Sequence, residues 1–223
     1  MSSEGRGQLT LYSYWRSSAA YRVRIALYLK KLRFKTIPVH LVKQGGEQHN
    51  ETFRSVNPQC LVPVLEHEGH VLTQSMAICE YLDECFEPYP LLPSNPTGRA
   101  RVRSLALQVA CEIHPLNNLR VLKFLKGQYG EAVDSVEWMA HWMNEGFVAI
   151  ERQLNDRCSG QSGYDDVRPG LFECFLVPQV YNAERYGIEM SVFPLISDLV
   201  THCRSLPAFI KAAPENQPDA EQL

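Results

Sequence analysis

Residues 87–96, EPYPLLPSNP, contain four prolines, and the apolar pattern obeys a different period on each side of them. Proline fixes φ and lacks a backbone donor, so neither a helix nor an inner strand runs through such a stretch. Upstream, short β-rich runs alternate with one or two helical ones. Downstream, only the 3.6-residue period recurs. The contrast predicts a mixed α/β domain over 8–87, a linker over 88–96 and an all-helical domain over 97–213. The polar tail, 214–223, is expected to bury little and to stay disordered.

The upstream part reads in order. Residues 8–15, QLTLYSYW, alternate and favour a strand. Ala20, Val23, Ala26 and Leu27 follow helical spacing, predicting a helix over 18–31. A second strand is expected over 34–41, with Pro38 placing it at an edge. This β-α-β opening implies parallel pairing with a right-handed crossover. Residues 42–57 read as a loop because of Gly45-Gly46 and their polar neighbours. Val62-Pro63-Val64-Leu65 and Val71-Leu72-Thr73, split by Glu68-Gly69, give a hairpin signal. Ser75 then starts a helix through Ile78, Tyr81 and Leu82.

Past the linker, Asn95 caps a helix with Pro96 at its first position. Val102, Leu105, Ala106, Val109 and Ile113 carry that helix to a kink at Pro115. Further helices are expected over 135–155, 171–186 and 194–212, with a polar loop over 156–170.

Composition excludes several classes. A net charge of −3 provides no basic field for nucleic acid or an anionic membrane. No apolar run is long enough to span a bilayer. The first seven residues lack the basic flank and apolar core of a secretory leader, so a cytoplasmic location is expected. Seven scattered cysteines without a Cys-x-x-Cys pair read as reduced thiols, mostly buried as small hydrophobes. Seven dispersed histidines show no zinc spacing, and no metal is expected.

Three places could hold a ligand. Ser17-Ser18 lie where the first strand meets the first helix, and a helix start offers unpaired N–H groups and a positive dipole end. A serine there is equally an ordinary N-cap. Val62-Pro63 precedes a strand, and Gln74-Ser75 open a second strand-to-helix junction. Each signal is weak alone. Their succession within one β-α-β, β-β-α unit is more informative.

Residues 11–30, LYSYWRSSAAYRVRIALYLK, resemble the start of the zeta-class glutathione transferases, the maleylacetoacetate isomerases. So do Asn57-Pro58-Gln59-Cys60-Leu61-Val62-Pro63-Val64-Leu65 and Gln74-Ser75-Met76-Ala77-Ile78-Cys79-Glu80-Tyr81-Leu82. In the helical part, Ile113-His114-Pro115-Leu116-Asn117-Asn118-Leu119-Arg120 and residues 176–185, LVPQVYNAER, match as well. The resemblance covers roughly residues 9–212.

The resemblance implies a thioredoxin-like N-terminal domain, an all-α C-terminal domain, glutathione as cofactor and a homodimer. Ser17 would be the catalytic hydroxyl facing the glutathione sulfur, with Ser18 and Ala19 beside it. Val62, ahead of a cis Pro63, would pair with the cysteinyl backbone. Gln74 and Ser75 would hold the γ-glutamyl end, and Gln48 would add a contact. His114, Asn118 and Arg120 would contribute from the helical domain. Arg16, Arg120 and Arg185 would bind the carboxylates of a diketo dicarboxylate substrate. The implied reaction is isomerisation of maleylacetoacetate to fumarylacetoacetate by reversible thiolate addition. Maleylpyruvate isomerisation, and transfer or dehalogenation on small α-halo acids, are the alternatives.

Two departures from the family stand out. Ala19 takes the place of a frequent cysteine. Gly170-Leu171-Phe172-Glu173 replaces a Ser or Thr cap at the late core helix, where Phe172 stands in for a small residue.

Overall fold

The period-two run at the start forms strand β1 (Leu9–Ser13), with Leu9, Leu11 and Ser13 buried and Thr10 and Tyr12 half-buried. The computed structural model describes residues 7–87, 89–158 and 168–221. Helix α1 (Ser18–Leu29), strand β2 (Phe34–Pro38) and helix α2 (Glu51–Val56) follow. Next come β3 (Val64–His67), β4 (His70–Thr73) and α3 (Ser75–Cys85). The helical part contains α4 (Pro96–Leu107), α5 (Leu119–Tyr129), α6 (Ser135–Cys158), α7 (Leu171–Arg185) and α8 (Pro194–Arg204). The short α9 (Pro207–Ala212) closes the series.

The chain divides into two units: residues up to Leu91 together with those from Leu206 onward, and residues Leu92–Ser205. In the first, the sheet order is β2-β1-β3-β4. Strand β1 pairs parallel with β2, Leu11 opposite Thr36, and antiparallel with β3, Leu11 opposite Leu65. This is the thioredoxin-like arrangement that the family resemblance implied. Strand β2 lies at the edge, where Pro38 costs no ladder bond. Glu68 and Gly69 both have positive φ, 50° and 80°, as a tight hairpin turn between β3 and β4 requires.

Nine of the twelve residues of α1 are buried, including two arginines. Arg24 is fully buried and donates to Ser13 Oγ (3.1 Å), Tyr14 O (3.3 Å), Trp15 O (2.8 Å) and Ala212 O (3.0 Å). Its guanidinium therefore ties β1, the turn after it and α9 to one helix. Burial holds its pKa down to about 10, still far above neutrality. Lys30, equally buried, donates to Phe86 O (2.6 Å) and Tyr89 O (2.8 Å) and pairs with Asp83 at 3.0 Å. Asp83 in turn accepts the Leu91 N–H at 2.6 Å, fixing the first part of the proline-rich segment.

In the second unit, α7 is almost wholly buried and packs on α4 and α8. Gly170 serves as its N-cap, and the buried Glu173 carboxylate accepts the Gly170 N–H at 2.7 Å. Phe172 is fully buried in that core. Asn95 Oδ1 caps α4 through the Gly98 N–H at 2.6 Å.

Four expectations are corrected. Residues 42–57 are not one loop: two 3₁₀ turns (Lys43–Gly45 and Glu47–His49) precede α2. The helix after the linker does not simply kink at Pro115. Its ladder widens into a π-turn at Gln108–Ile113 and tightens into a 3₁₀ turn at His114–Asn117, before Asn118 caps α5. Proline removes a donor and crowds the preceding turn, so the adjustment falls on the residues before it. The helix expected over 194–212 breaks at Leu206, which is extended (ψ 140°) ahead of Pro207. Finally, α9 packs on α1, and Pro214 and Gln217 are buried, so the segment from 206 onward belongs to the first unit and the tail buries residues that were expected to be disordered.

Of the cysteines, Cys79, Cys174 and Cys203 are buried, Cys60 and Cys85 half-buried and Cys111 exposed, all as free thiols. The Cys158 side chain and most of the expected 156–170 loop lie outside the described residues. No helix of the described residues is long and apolar enough to cross a membrane.

Candidate active site

The turn after β1 places Ser17. Tyr14 O accepts the Ser17 N–H at 3.0 Å, and Ser17 is extended (φ −71°, ψ 116°), as an N-cap must be. Its Oγ accepts the Ala20 N–H at 3.2 Å, so its own hydrogen remains to be donated. Ser17, Ser18 and Ala19 are half-buried, and no acidic residue occupies the first turn of α1. The first turn itself therefore offers no carboxylate to offset the positive end of the helix. Ser17 is thus the N-cap, with a hydroxyl hydrogen that the cap does not use.

The second junction is tied to the same helix. Ser75, 6% exposed at the start of α3, accepts from Arg22 Nη1 at 3.1 Å. Gln74 precedes it in the left-handed region (φ 69°), with its amide donating to Gln59 Oε1 at 3.0 Å. The first turn of α3 also lacks an acidic residue. Arg22 and Arg24 thus anchor the two strand-to-helix junctions to one helix.

The Val62–Pro63 peptide bond is cis. Val62 packs in one buried cluster with Tyr14, Trp15, Val39, Phe53 and Val64, beside the turn that carries Ser17. Its backbone makes no hydrogen bond with the described residues.

Gln48 lies in the second 3₁₀ turn and is 7% exposed. Its Oε1 is buried without a partner among the described residues, an acceptor awaiting a donor. A Cβ on Gly46 (φ 107°) would fall 2.5 Å from the Gln48 amide, so glycine is required there. The loop is closed at its base by His40 and Glu47: Glu47 Oε2 accepts the His40 N–H at 2.6 Å, and His40 O accepts the Glu47 N–H at 2.8 Å.

The remaining candidates are placed as follows. Arg16 is half-buried, its guanidinium 5.0 Å from the Trp15 ring centroid. In the second unit, His114 opens the 3₁₀ turn and is half-buried. Asn118 Oδ1 accepts the Arg120 N–H at 3.1 Å, and the Arg120 side chain is exposed. Arg185 is exposed at the end of α7, lies 4.5 Å over the Tyr186 ring and donates to its hydroxyl at 2.6 Å.

Sequence reasoning missed Arg22 and Arg24 as parts of this frame. The available signal was their position, alternating with apolar residues inside a helix otherwise suited to complete burial.

A model of the glutathione S-transferase N-terminal domain matches residues 7–84. The maleylacetoacetate isomerase of Pseudomonas aeruginosa is 43% identical over 215 residues, covering 95% of this chain and 98% of that one. A holo maleyl pyruvate isomerase, described as a bacterial zeta-class glutathione transferase, superposes with a TM-score of 0.86 at 39% identity, covering 95% of this chain and all of that one. The maleylacetoacetate isomerase of Anaeromyxobacter dehalogenans with glutathione in its active site superposes with a TM-score of 0.84 at 39% identity, covering 96% and 98%. With the sheet order, the two strand-to-helix junctions and relatives that span nearly its whole length, this chain belongs to the zeta-class glutathione transferases.

Proposed function

We propose that this protein is a glutathione-dependent cis–trans isomerase that converts maleylacetoacetate to fumarylacetoacetate, working as a cytoplasmic homodimer. The observation that carries the reading is Ser17, whose oxygen is engaged by the Ala20 N–H while its hydrogen remains to be donated, at a helix whose first turn holds no acidic residue.

The residues fit the tripeptide. The unpartnered Gln48 Oε1 and the Val62 backbone are polar groups suited to an extended peptide. When bound, glutathione supplies a thiolate that adds to the cis double bond, allows rotation about it, and leaves unchanged. Ser17 donates its hydroxyl hydrogen to the sulfur and, with the N–H groups of Ser18 and Ala19, favours the ionised form. A hydrogen bond to a charged acceptor contributes about 1.5–3 kcal/mol, enough to raise the thiolate population tenfold or more. Val62 pairs with the cysteinyl backbone, Gln74 and Ser75 hold the γ-glutamyl end, and Gln48 adds its amide. Arg16, Arg120 and Arg185 are assigned to the substrate carboxylates, for which the guanidinium fork is suited. His114, Asn118 and Arg120 are assigned to glutathione. Ala19 carries no thiol, and none is needed when the nucleophile comes from the cofactor.

Maleylpyruvate is the second substrate reading, favoured by the likeness to the maleyl pyruvate isomerase. Rates on both diketo acids, each with and without reduced glutathione, test the assignment. Isomerisation of maleylacetoacetate only in the presence of glutathione is expected. An equal rate without it would defeat the proposal, and a clear preference for maleylpyruvate would replace the substrate.

A further inference from the structure

We propose that the C-terminal segment from Gln217 to Glu221 is a strap that positions the glutathione site, with Asp219 as its principal positioning residue. The inference rests on the assignment of that site to glutathione.

Trp15 is 1% exposed, so its backbone N–H is shut off from water and requires a partner from the protein. That partner comes from the other end of the chain: Asp219 Oδ2 accepts the Trp15 N–H at 2.9 Å. The carbonyl of the same residue is taken by Arg24 Nη2 at 2.8 Å, and Arg24 also holds Tyr14 O at 3.3 Å. Tyr14 O is the atom that accepts the Ser17 N–H. The turn that sets Ser17 Oγ is thus gripped by a carboxylate and a guanidinium, which attract each other.

The strap is itself held in shape. Gln217 is buried, and its amide donates to Lys211 O (2.9 Å) and Ala213 O (2.8 Å). Ala220 packs against the cluster that contains Tyr14, Trp15 and Val62. Beyond it, Glu221 reaches the second part of the site. Its carboxylate lies 3.1 Å from His40 Nε2 and 2.5 Å from Lys43 Nζ. His40 Nδ1 accepts the N–H groups of Val42 (3.2 Å) and Lys43 (2.9 Å), so the ring proton sits on Nε2, facing Glu221. The loop thus fastened is the one that leads to Gln48. Glu221 and Lys43 are exposed, so this ion pair contributes little by itself. The Asp219 bond to a buried N–H carries the larger share.

The test compares the full chain with Asp219→Ala, Asp219→Asn and a chain ending at Pro218. Reduced glutathione binding is measured by calorimetry, and turnover at saturating glutathione alongside it. Hydrogen exchange follows the Trp15 amide against those of Val64 and Leu65 in β3. Asp219→Ala is expected to weaken glutathione binding or slow turnover about tenfold and to speed exchange at Trp15 about as much, with β3 protection unchanged. Asp219→Asn should stay within about twofold, because an amide oxygen can accept the same N–H. Unaltered binding, turnover and Trp15 exchange in Asp219→Ala would overturn the proposal. So would an Asn variant as impaired as Ala, or protection lost uniformly across the sheet. If the chain ending at Pro218 does not fold, the two point variants decide. If the unaltered chain fails to bind glutathione, the site assignment falls instead, and selective Trp15 exchange alone judges the strap.

Discussion

Ser17 caps α1 through its oxygen and retains a hydrogen that the proposed mechanism gives to the sulfur, and substitutions separate the two roles. Ser17→Ala loses both: turnover is expected to fall at least tenfold, and stability by about 1 kcal/mol for the missing cap. Ser17→Asp keeps a capping oxygen but sets a carboxylate against a thiolate. Its stability should match the parent within about 0.5 kcal/mol, while its turnover falls below that of the alanine variant. Urea denaturation and initial rates on the three proteins check this. An alanine variant with full turnover would remove Ser17 as the thiolate partner. At this scale much of the candidate site was legible, because Ser17, Val62-Pro63 and Gln74-Ser75 sit where strands run into loops and helices, and such junctions show in the pattern. Arg24 and Asp219 were not. A buried arginine has the same letter as an exposed one, and the carbonyls it satisfies lie on the turn after β1 and on the returning α9, not beside it in the sequence.

Elements were legible in proportion to their length and regularity. The four strands, α1, α3 and the long α6 and α7 carry enough periodic residues to declare themselves. Six-residue α2 does not: its single buried residue, Phe53, offers no period to read. The passage from α4 to α5 was predicted as one kinked helix because apolar spacing is nearly indifferent to a local π-turn. What accommodates that turn is a glycine on another helix. A Cβ on Gly146 of α6 would lie 2.2 Å from Ile113 Cδ1 and 2.3 Å from its Cγ1. Ile113 is 1% exposed, so its side chain is enclosed by its neighbours. Glycine to alanine in an exposed helix would gain about 1 kcal/mol. Here overpacking costs about 1–3 kcal/mol, and the strain falls on the turn that leads to His114. Gly146→Ala is therefore expected to lower the melting temperature despite its better helix propensity. A rise on differential scanning calorimetry would show that the π-turn yields without cost.

Across the whole molecule, the order of residues along the chain and the order of folding units do not coincide. The proline-rich segment does mark the first boundary, but Leu206-Pro207 marks a second that apolar spacing concealed, because α8 and α9 are both helical and only Ser205 and the extended Leu206 separate them. The glutathione unit is consequently completed by the last residues of the chain. Phe209 of α9 is 1% exposed, and α9 packs on α1, the helix whose start carries Ser17. Truncating a buried phenylalanine costs about 3–5 kcal/mol. Phe209→Ala should destabilise the glutathione unit by that amount although Phe209 is not among the proposed ligand-binding residues. A ligand bound only by the folded state restores stability by mass action, about 2.7 kcal/mol at a hundredfold excess over its dissociation constant. Reduced glutathione at that excess is thus expected to recover a large part of the loss in the variant and to raise the parent by a similar amount. Chemical denaturation of both proteins, with and without the tripeptide, measures each term. A Phe209→Ala protein that loses stability but gains none from glutathione would separate α9 from the binding unit, and the unit would then end where the proline-rich segment begins.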